Sequence, residues 1–167
     1  MRIYLIGFMG CGKSSLGRRL ARRLEYPFID IDNEVERLSG STIPEIFSSK
    51  GEEEFREMEK GVLQSTLDIQ KAVIATGGGT PCYSDNMDFM LGNGITVYLK
   101  MSPASLSHRL EYARRKRPLI GNMKGERLLS FIESKLIERE EYYIRSHCII
   151  KGESVRPGQV ISLVFGY

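Results

Sequence analysis

Eight consecutive residues near the N-terminus constrain the fold more than any other feature of this 167-residue chain. Gly7-Phe8-Met9-Gly10-Cys11-Gly12-Lys13-Ser14 matches the pattern G-x-x-x-x-G-K-[ST], which requires a strand before it and a helix after it. A strand-like run, Ile3–Ile6, precedes the motif, and leucines at helical spacing follow it over Lys13–Leu24. The motif therefore predicts an α/β fold built around a phosphate-binding loop. A glycine-rich turn without a ligand is the simpler alternative.

The residue types of this loop suit a nucleoside triphosphate. Glycines let backbone N–H groups turn toward phosphate oxygens without a clashing Cβ atom. The N-terminus of the following helix adds a partial positive charge. We expect Lys13 to reach the β- and γ-phosphates and the Ser14 hydroxyl to ligate Mg²⁺. The loop by itself predicts nucleotide binding and leaves the reaction open.

Strand-like and helical patterns alternate along the rest of the chain. The later predicted strands are Phe28–Asp30, Ala72–Ala75, Ile95–Leu99 and Cys148–Ile150. The later predicted helices are Asn33–Leu38, Ile43–Lys50, Glu52–Asp68, Pro103 to about Tyr112, Glu126–Tyr143 and one that starts near Pro157. This alternation predicts a single three-layer α/β/α domain over residues 1–167, with a mainly parallel sheet. The charged segment 114–125 lacks apolar periodicity, and we expect an exposed mobile loop there.

Composition narrows the class of protein and its partners. Apolar residues make up 41% of the chain and charged residues 27%, which is typical of globular proteins. No apolar run approaches the roughly 20 residues of a membrane helix, and the N-terminus has no signal-peptide pattern. The three cysteines are widely spaced and form no metal motif, which fits a reducing cytosol. The net charge of +3 is mild, and the basic clusters at 18–23 and 109–117 lack interleaved aromatic residues. We therefore expect a cytoplasmic protein that binds neither nucleic acid nor membrane. We also expect a monomer.

Acidic and glycine residues follow the second and third predicted strands. Asp30 and Asp32 lie where the second strand ends, at the sheet edge where open parallel sheets bind ligands. They share a side if the strand continues that far, and a helix N-cap is the alternative role. The third strand ends in Thr76-Gly77-Gly78-Gly79, whereas switch GTPases and motor ATPases usually have a metal-directing aspartate there. The chain also lacks an N-K-x-D guanine-selecting element, so both features argue against a switch protein.

One arginine lies within an otherwise apolar or aromatic helix stripe. Leu129, Ile132, Leu136, Arg139 and Tyr143 follow spacings of three and four residues and should face the core. A charge in that position is costly unless it is paired. The partner is either a ligand or a carboxylate at the edge of the core, since structural ion pairs are common.

The ordered set of motifs resembles the shikimate kinase family over nearly the whole chain. The matching elements are the Gly7–Ser14 loop, Phe28–Asp32, Ile46-Phe47, Gly51-Glu52, Phe55-Arg56, Glu59, Thr76–Gly79, Arg117-Pro118-Leu119, and Arg139 followed by Tyr142. The phosphate loop alone is common, whereas the whole set is specific. The resemblance implies a P-loop kinase with a five-stranded sheet of order 2-3-1-4-5 and a closing lid at about 112–125.

The resemblance also implies the reaction, which is transfer of the γ-phosphoryl of ATP to the 3-hydroxyl of shikimate with Mg²⁺, in chorismate and aromatic amino-acid biosynthesis. The implied catalytic residues are Lys13, Asp32 and Arg117. The implied ATP-binding residues are Gly10, Cys11, Gly12, Lys13, Ser14, Ser15, Arg109, Arg117, Arg156 and Pro157. The implied substrate-binding residues are Asp32, Arg56, Gly77, Gly78, Gly79 and Arg139. The implied metal-site residues are Ser14 and Asp30.

The chemistry of these residues agrees with the implied roles. Arginine suits a carboxylate because its fork makes paired, charge-assisted hydrogen bonds. A carboxylate such as that of Asp32 can orient an alcohol and accept its proton. A lid carrying Arg117 would exclude water, which otherwise hydrolyses ATP.

Two features leave alternatives open. Arg156-Pro157-Gly158 keeps the proline of the family's last nucleotide loop but differs in the flanking residues. Cys11 is a tolerated small residue or a low-pKa thiol at a helix N-terminus.

The competing functions are a P-loop kinase of another hydroxy acid, such as gluconate, and a nucleotide-binding regulator that has lost catalysis. The regulator is disfavoured because it would need only the phosphate loop, and the chain retains Asp32, Arg56, Arg117 and Arg139.

Overall fold

Five short strands form one parallel sheet at the centre of the computed structural model, which describes residues 1–113 and 117–167. The strands are β1 (Arg2–Ile6), β2 (Phe28–Asp30), β3 (Ala72–Ala75), β4 (Ile95–Lys100) and β5 (Cys148–Lys151). Their order is β2-β3-β1-β4-β5, and every neighbouring pair is parallel. The predicted strand order and parallel pairing are therefore confirmed.

Seven helices cover the sheet within the described residues. They are α1 (Lys13–Leu24), α2 (Ile31–Ser39), α3 (Ile43–Ser65), α4 (Asn86–Asn93), α5 (Pro103–Glu111), α6 (Gly125–Tyr143) and α7 (Pro157–Phe165). Two short 3₁₀ turns lie at Thr66–Asp68 and Thr80–Cys82. None of these helices is both long and apolar enough to cross a membrane.

Side chains of the central strand divide the core into two layers. Ile3 and Leu5 pack in a cluster with apolar residues of α1, α5 and α7. Tyr4 and Ile6, on the opposite face, pack with residues of α2, α3 and α4. Successive strand residues point to opposite faces, so a strand buried on both sides must be apolar throughout. The three-layer arrangement follows, and it leaves the carboxyl ends of the strands free to carry polar loops.

The helices differ from prediction at two places, the start of α2 and the presence of α4. α2 begins at Ile31 because the Asp30 side chain caps it, so Asp32 lies in the first helical turn and not on β2. The break predicted at Gly51 is confirmed, because Gly51 has a non-helical backbone with φ 86° and ψ 173°, and α3 therefore consists of two helical segments that meet at a kink there. The prediction also missed α4, which no side chain caps and whose apolar spacing is weak.

Candidate active site

The phosphate loop connects β1 to α1 and adopts a backbone that needs glycine. Gly7, Gly10 and Gly12 all have positive φ angles, of 142°, 84° and 95°. A Cβ atom at Gly7 would also lie 2.8 Å from the carbonyl oxygen of Leu99 in β4. Because L-residues with a Cβ rarely adopt these angles, the loop can turn its backbone N–H groups inward only with this sequence.

The start of α1 forms a compact anion-binding environment. Gly12 is the N-cap and offers no side chain to the first-turn N–H groups. The Lys13 side chain is buried, and its Nζ donates to the carbonyl oxygens of Gly7 at 2.8 Å and Phe8 at 3.0 Å. Lys13 therefore bends back over the loop and closes one side of a cavity of about 200 Å³. The uncapped N–H groups and this ammonium together favour phosphate oxygens.

Asp30 has two contacts that join the phosphate loop to β2. Its Oδ2 accepts a hydrogen bond from the Ser14 hydroxyl at 2.5 Å, and its Oδ1 accepts one from the Asn33 N–H at 3.3 Å. Asp30 therefore serves as the N-cap of α2 and also contacts the predicted metal-site serine. No cluster of three or more His, Cys, Asp or Glu side chains that could hold a metal occurs within residues 1–113 and 117–167.

We call the cavity of about 200 Å³ at the loop the phosphate cavity. A second cavity, of about 60 Å³, lies beside it. Its lining comprises Met9, Asp32, Ile43, Pro44, Phe47, Phe55, Arg56, Glu59, Gly77, Gly78, Gly79, Arg117, Pro118 and Leu119. Met9, Asp32, Gly78 and Arg117 line both cavities. The Arg117 Nη1 lies 3.5 Å from Oδ2 of Asp32. A carboxylate and a guanidinium therefore stand at the junction of the two cavities.

Arg56 is held in this second cavity by side chains of its own helix and of the loop after β3. It forms ion pairs with Glu52 at 3.1 Å and Glu59 at 3.0 Å, and its guanidinium carbon lies 4.0 Å from the centroid of the Tyr83 ring. Glu59 is completely buried and also accepts a hydrogen bond from the Thr80 hydroxyl. Burial raises the pKa of the Glu59 carboxyl, and the charge of Arg56 opposes that rise.

Arg139 has a different environment. Only 7% of the residue is exposed, and its buried Nη1 has no hydrogen-bond partner among the described residues. The guanidinium carbon lies 5.3 Å from the centroid of the Phe8 ring. The predicted inward stripe of α6 is correct at Ile132, Arg139 and Tyr143. It is wrong at its start, because Leu128 is buried and Leu129 is only partly buried.

A third cavity, of about 250 Å³, shares the lining residues Gly12 and Ser15 with the phosphate cavity. It is lined by Cys11, Gly12, Ser15, Leu16, Arg19, Leu99, Arg109, Glu153, Ser154, Val155 and Arg156. Arg109 bridges its two sides, since it donates to the carbonyl oxygens of Gly10 and Glu153. Pro157 is the first residue of α7 and is not among the lining residues. The sequence did not indicate Arg19 or 153–155, because only the fold brings them beside the loop.

Part of the predicted lid borders the second cavity. Arg117, Pro118 and Leu119 are lining residues, and Ile120 is buried against the core. Residues 114–116 of the predicted lid lie outside the described residues. Phe47, Phe55 and Glu59 were matched to family motifs but given no role, and the structure places all three around the same cavity.

The geometry defines a class of protein. The phosphate cavity and the smaller second cavity meet at the Asp32 carboxylate and the Arg117 guanidinium, on a parallel sheet of order 2-3-1-4-5. This arrangement is that of a P-loop kinase acting on a small molecule. The family model for shikimate kinase matches residues 9–165, and the chain belongs to the shikimate kinase family.

Individual relatives agree with the family model. The chain is 43% identical to a shikimate kinase of Bacteroides fragilis over 149 residues, which is 89% of this chain and 83% of that protein. A crystal structure of shikimate kinase from Bacteroides thetaiotaomicron superposes with a TM-score of 0.88 at 38% identity, covering 98% of this chain and 94% of that one. The structure of shikimate kinase from Acinetobacter baumannii in complex with shikimate gives 0.89 at 34% identity, with 99% and 93% coverage. The family and fold predicted from the sequence are confirmed.

Proposed function

We propose that this protein transfers the γ-phosphoryl group of ATP to the 3-hydroxyl of shikimate, giving shikimate 3-phosphate and ADP, a step of chorismate and aromatic amino-acid biosynthesis. The observation that carries the proposal is the junction of the phosphate cavity and the second cavity at Asp32, Gly78 and Arg117. A hydroxyl bound in the second cavity would meet a phosphoryl group bound on the loop at that junction. Binding of shikimate by the Acinetobacter baumannii relative supports the choice of acceptor.

In this proposal the carboxylate of bound shikimate pairs with Arg139. A buried guanidinium nitrogen without a hydrogen-bond partner is costly, and an incoming carboxylate would remove that cost. Arg56 and the Gly77–Gly79 backbone complete the second cavity, which is the acceptor cavity in this proposal. The apolar rings of Phe47 and Phe55 suit the carbon face of a cyclohexene ring.

Asp32 orients the acceptor hydroxyl and accepts its proton as the oxygen–phosphorus bond forms. The bond between the γ-phosphorus and the bridging oxygen breaks, and ADP carries that electron pair away. Lys13 and Arg117 neutralise charge on the transferring group, which is the main requirement of phosphoryl transfer. Arg117, with the lid at about 112–125, excludes water from the junction.

The residues at the loop fit a magnesium ion. The Ser14 hydroxyl donates its proton to Asp30, which leaves its oxygen lone pairs available as a ligand. Mg²⁺ keeps several waters and takes phosphate oxygens as ligands, so a site with one hydroxyl and a nearby carboxylate suits it. When bound, the ion would screen the charges of the β- and γ-phosphates.

The third cavity takes the nucleoside end of ATP in this proposal. Gly10, Cys11, Gly12, Lys13, Ser14 and Ser15 hold the phosphates, and Arg109 and Arg156 border the base. Pro157 contributes by starting α7 beside this cavity. The monomeric state expected from the sequence stays a prediction. All three cysteines are free thiols, which supports a cytoplasmic location.

An ADP-release assay with a panel of hydroxy acids tests the proposal. Shikimate should stimulate turnover, and gluconate should not. Stimulation by gluconate alone would assign the chain to another acceptor, and no stimulation by any acceptor would favour the regulator.

The Asp32→Asn variant tests the assigned base in the same assay. It should bind ATP normally but lose about 10²-fold in turnover, as expected for a positioned acid–base group. Since Asp30 and not Asp32 caps α2, the substitution leaves the helix cap in place. Near wild-type turnover would exclude Asp32 as a base.

A further inference from the structure

Tyr143 connects the end of α6 to the glycine loop after β3. It is completely buried and lies one helical turn beyond Arg139. Its hydroxyl donates a hydrogen bond of 2.5 Å to the carbonyl oxygen of Gly78, 65 residues earlier in the chain. Burial raises the pKa of the Tyr143 phenol, so the hydroxyl keeps the proton that it donates. One helix therefore supplies both the guanidinium whose Nη1 lacks a hydrogen-bond partner among the described residues and an anchor for the backbone beside it.

Gly78 lies next to Arg139, at the boundary between the two cavities. It lines the phosphate cavity and the acceptor cavity. A Cβ atom on this residue would lie 3.0 Å from the Met9 amide nitrogen and 3.4 Å from Nη1 of Arg139. Gly78 has no side chain of its own to fix it. The peptide that joins Gly78 to Gly79 is planar, so a bond to the Gly78 carbonyl also sets the direction of the Gly79 N–H.

The Tyr143 ring is held independently of its hydroxyl. Its centroid lies 5.0 Å from that of Tyr98, and the rings are tilted by 42°. The Tyr98 hydroxyl donates a hydrogen bond of 2.8 Å to Oε2 of Glu140. Tyr98 and Glu140 border a separate cavity of about 830 Å³ between the ends of β4 and β5 and α6. Removing the Tyr143 hydroxyl should therefore release Gly78 while the ring stays packed.

We propose that Tyr143 is a positioning residue for acceptor recognition, whose hydroxyl holds the Gly78–Gly79 peptide in the orientation that shikimate meets. Tyr143 does not touch the acceptor. This inference rests on the proposed function, because it concerns the same acceptor cavity.

Steady-state kinetics of Tyr143→Phe tests the inference. We expect the KM for shikimate to rise about five- to tenfold, the effect of losing one buried hydrogen bond. The KM for ATP and kcat should stay within about twofold, since Lys13 and the loop glycines are untouched. Tyr98→Phe is the matched control, because it removes a phenol hydroxyl from the other member of the same aromatic pair. Its KM for shikimate should equal that of the wild type.

Two further residues at position 143 separate the hydroxyl from the packing. 4-Fluorophenylalanine fills the space of the hydroxyl but donates no proton, and it should show the raised KM even if Tyr143→Phe does not fold. 4-Aminophenylalanine restores a donor and should return the KM to near the wild-type value. An unchanged KM with the fluoro residue overturns the inference. Equal increases in the KM for ATP and for shikimate, shared by Tyr98→Phe, would also overturn it, since they indicate a structural role only.

Turnover of shikimate by the wild type separates the positioning role of Tyr143 from the proposed function. Wild-type turnover of shikimate with an unchanged KM in the variants overturns the positioning role alone. A wild-type enzyme that does not turn over shikimate overturns the proposed function, and the positioning role with it.

Discussion

Two arginines near the acceptor cavity have nearly equal burial and opposite surroundings. Arg56 lines the cavity, whereas Arg139 is not a lining residue and lies next to Gly78, where an added Cβ would be 3.4 Å from its Nη1. Arg56 is 8% exposed and Arg139 is 7% exposed. Arg56 is paired with Glu52 and Glu59 and lies against Tyr83. Arg139 contacts the Phe8 ring and leaves Nη1 without a hydrogen-bond partner in the described part of the chain. Family resemblance gives both residues the same role, and the structure separates them.

The difference lies in when each charge is neutralised. A buried charge costs several kcal/mol unless a partner compensates it, about the same order for either arginine. For Arg56 the protein itself supplies that compensation, so the guanidinium is already ordered in the empty enzyme. For Arg139 an acceptor carboxylate would supply it. Arg56 should therefore contribute mainly to stability, and Arg139 mainly to binding.

The largest expected effect is on stability. Arg56→Met removes the partner of the completely buried Glu59 carboxylate and should lower the free energy of unfolding by about 3–5 kcal/mol. Urea unfolding measures it. The double variant Arg56→Met/Glu59→Gln should recover part of the loss, because no buried charge is then left alone. A single variant within about 1 kcal/mol of the wild type would show that Arg56 is not the structural member of the comparison.

The next effect is on binding, at Arg139. Arg139→Met should cost about 2–5 kcal/mol in shikimate recognition, as for other desolvated charge pairs that lose one member. Its stability should be unchanged or slightly raised, since no carboxylate is stranded. Thermal melts with and without shikimate measure both, because ligand-induced stabilisation depends on binding.

Arg127→Met is the control for this variant, since Arg127 lies exposed on the same helix. It should keep both the melting temperature and the shift produced by shikimate. An Arg139→Met protein that melts far lower and still responds to shikimate would reverse the assignment.

Arg56 and Arg139 also show which features of the site the sequence alone could predict. Helical spacing placed Arg139 on an inward stripe, because periodicity reports which face of a helix is buried. Periodicity carries no information about the partner, so a structural ion pair stayed open for Arg139. The partners of Arg56 are likewise invisible in the sequence: Tyr83 contacts Glu52 across 31 positions, and Thr80 contacts Glu59 across 21.

The same limit explains the fold predictions. The apolar runs of β1 and β3 are buried on both faces, and a continuous apolar run of this length predicts such a strand. The end of β2 at Asp30 is also predicted correctly, but α2, predicted to start at Asn33, starts at Ile31 because Asp30 is both the last strand residue and the cap of α2. Such a residue satisfies two local patterns, and tertiary contacts decide between them. β2 does not continue to Asp32, which lies in the first turn of α2 and lines the cavity that the resemblance implied.

A smaller effect is the pH dependence of the Arg56→Met penalty. Burial already raises the pKa of Glu59, and loss of Arg56 should raise it further. A carboxyl whose pKa is raised by folding adds stability at low pH and loses it as the pH rises through the folded-state value. The loss of unfolding free energy caused by Arg56→Met should therefore be smaller at about pH 5 than at about pH 8. The difference should be about 1.4 kcal/mol for each unit by which the substitution raises the pKa of Glu59. Urea unfolding at the two pH values measures this, and Glu59→Gln should abolish the dependence. A penalty independent of pH would place the lost stability elsewhere than at Glu59.

The smallest expected effect concerns Tyr83, which holds Arg56 from its exposed side. The ring lies 4.0 Å from the guanidinium carbon, and the hydroxyl donates to Glu52 at 2.7 Å. Tyr83→Phe keeps the ring and removes the hydrogen bond, which should cost about 0.5–1 kcal/mol of unfolding free energy. Tyr83→Leu also removes the cation–π contact, worth about a further 0.5–1 kcal/mol at an exposed site. Shikimate affinity should change little in either variant, because Glu59 still orients Arg56. If Tyr83→Leu weakened shikimate binding as much as Arg139→Met while leaving stability intact, the two arginines would have the same role, and the contrast in their partners would have no functional meaning.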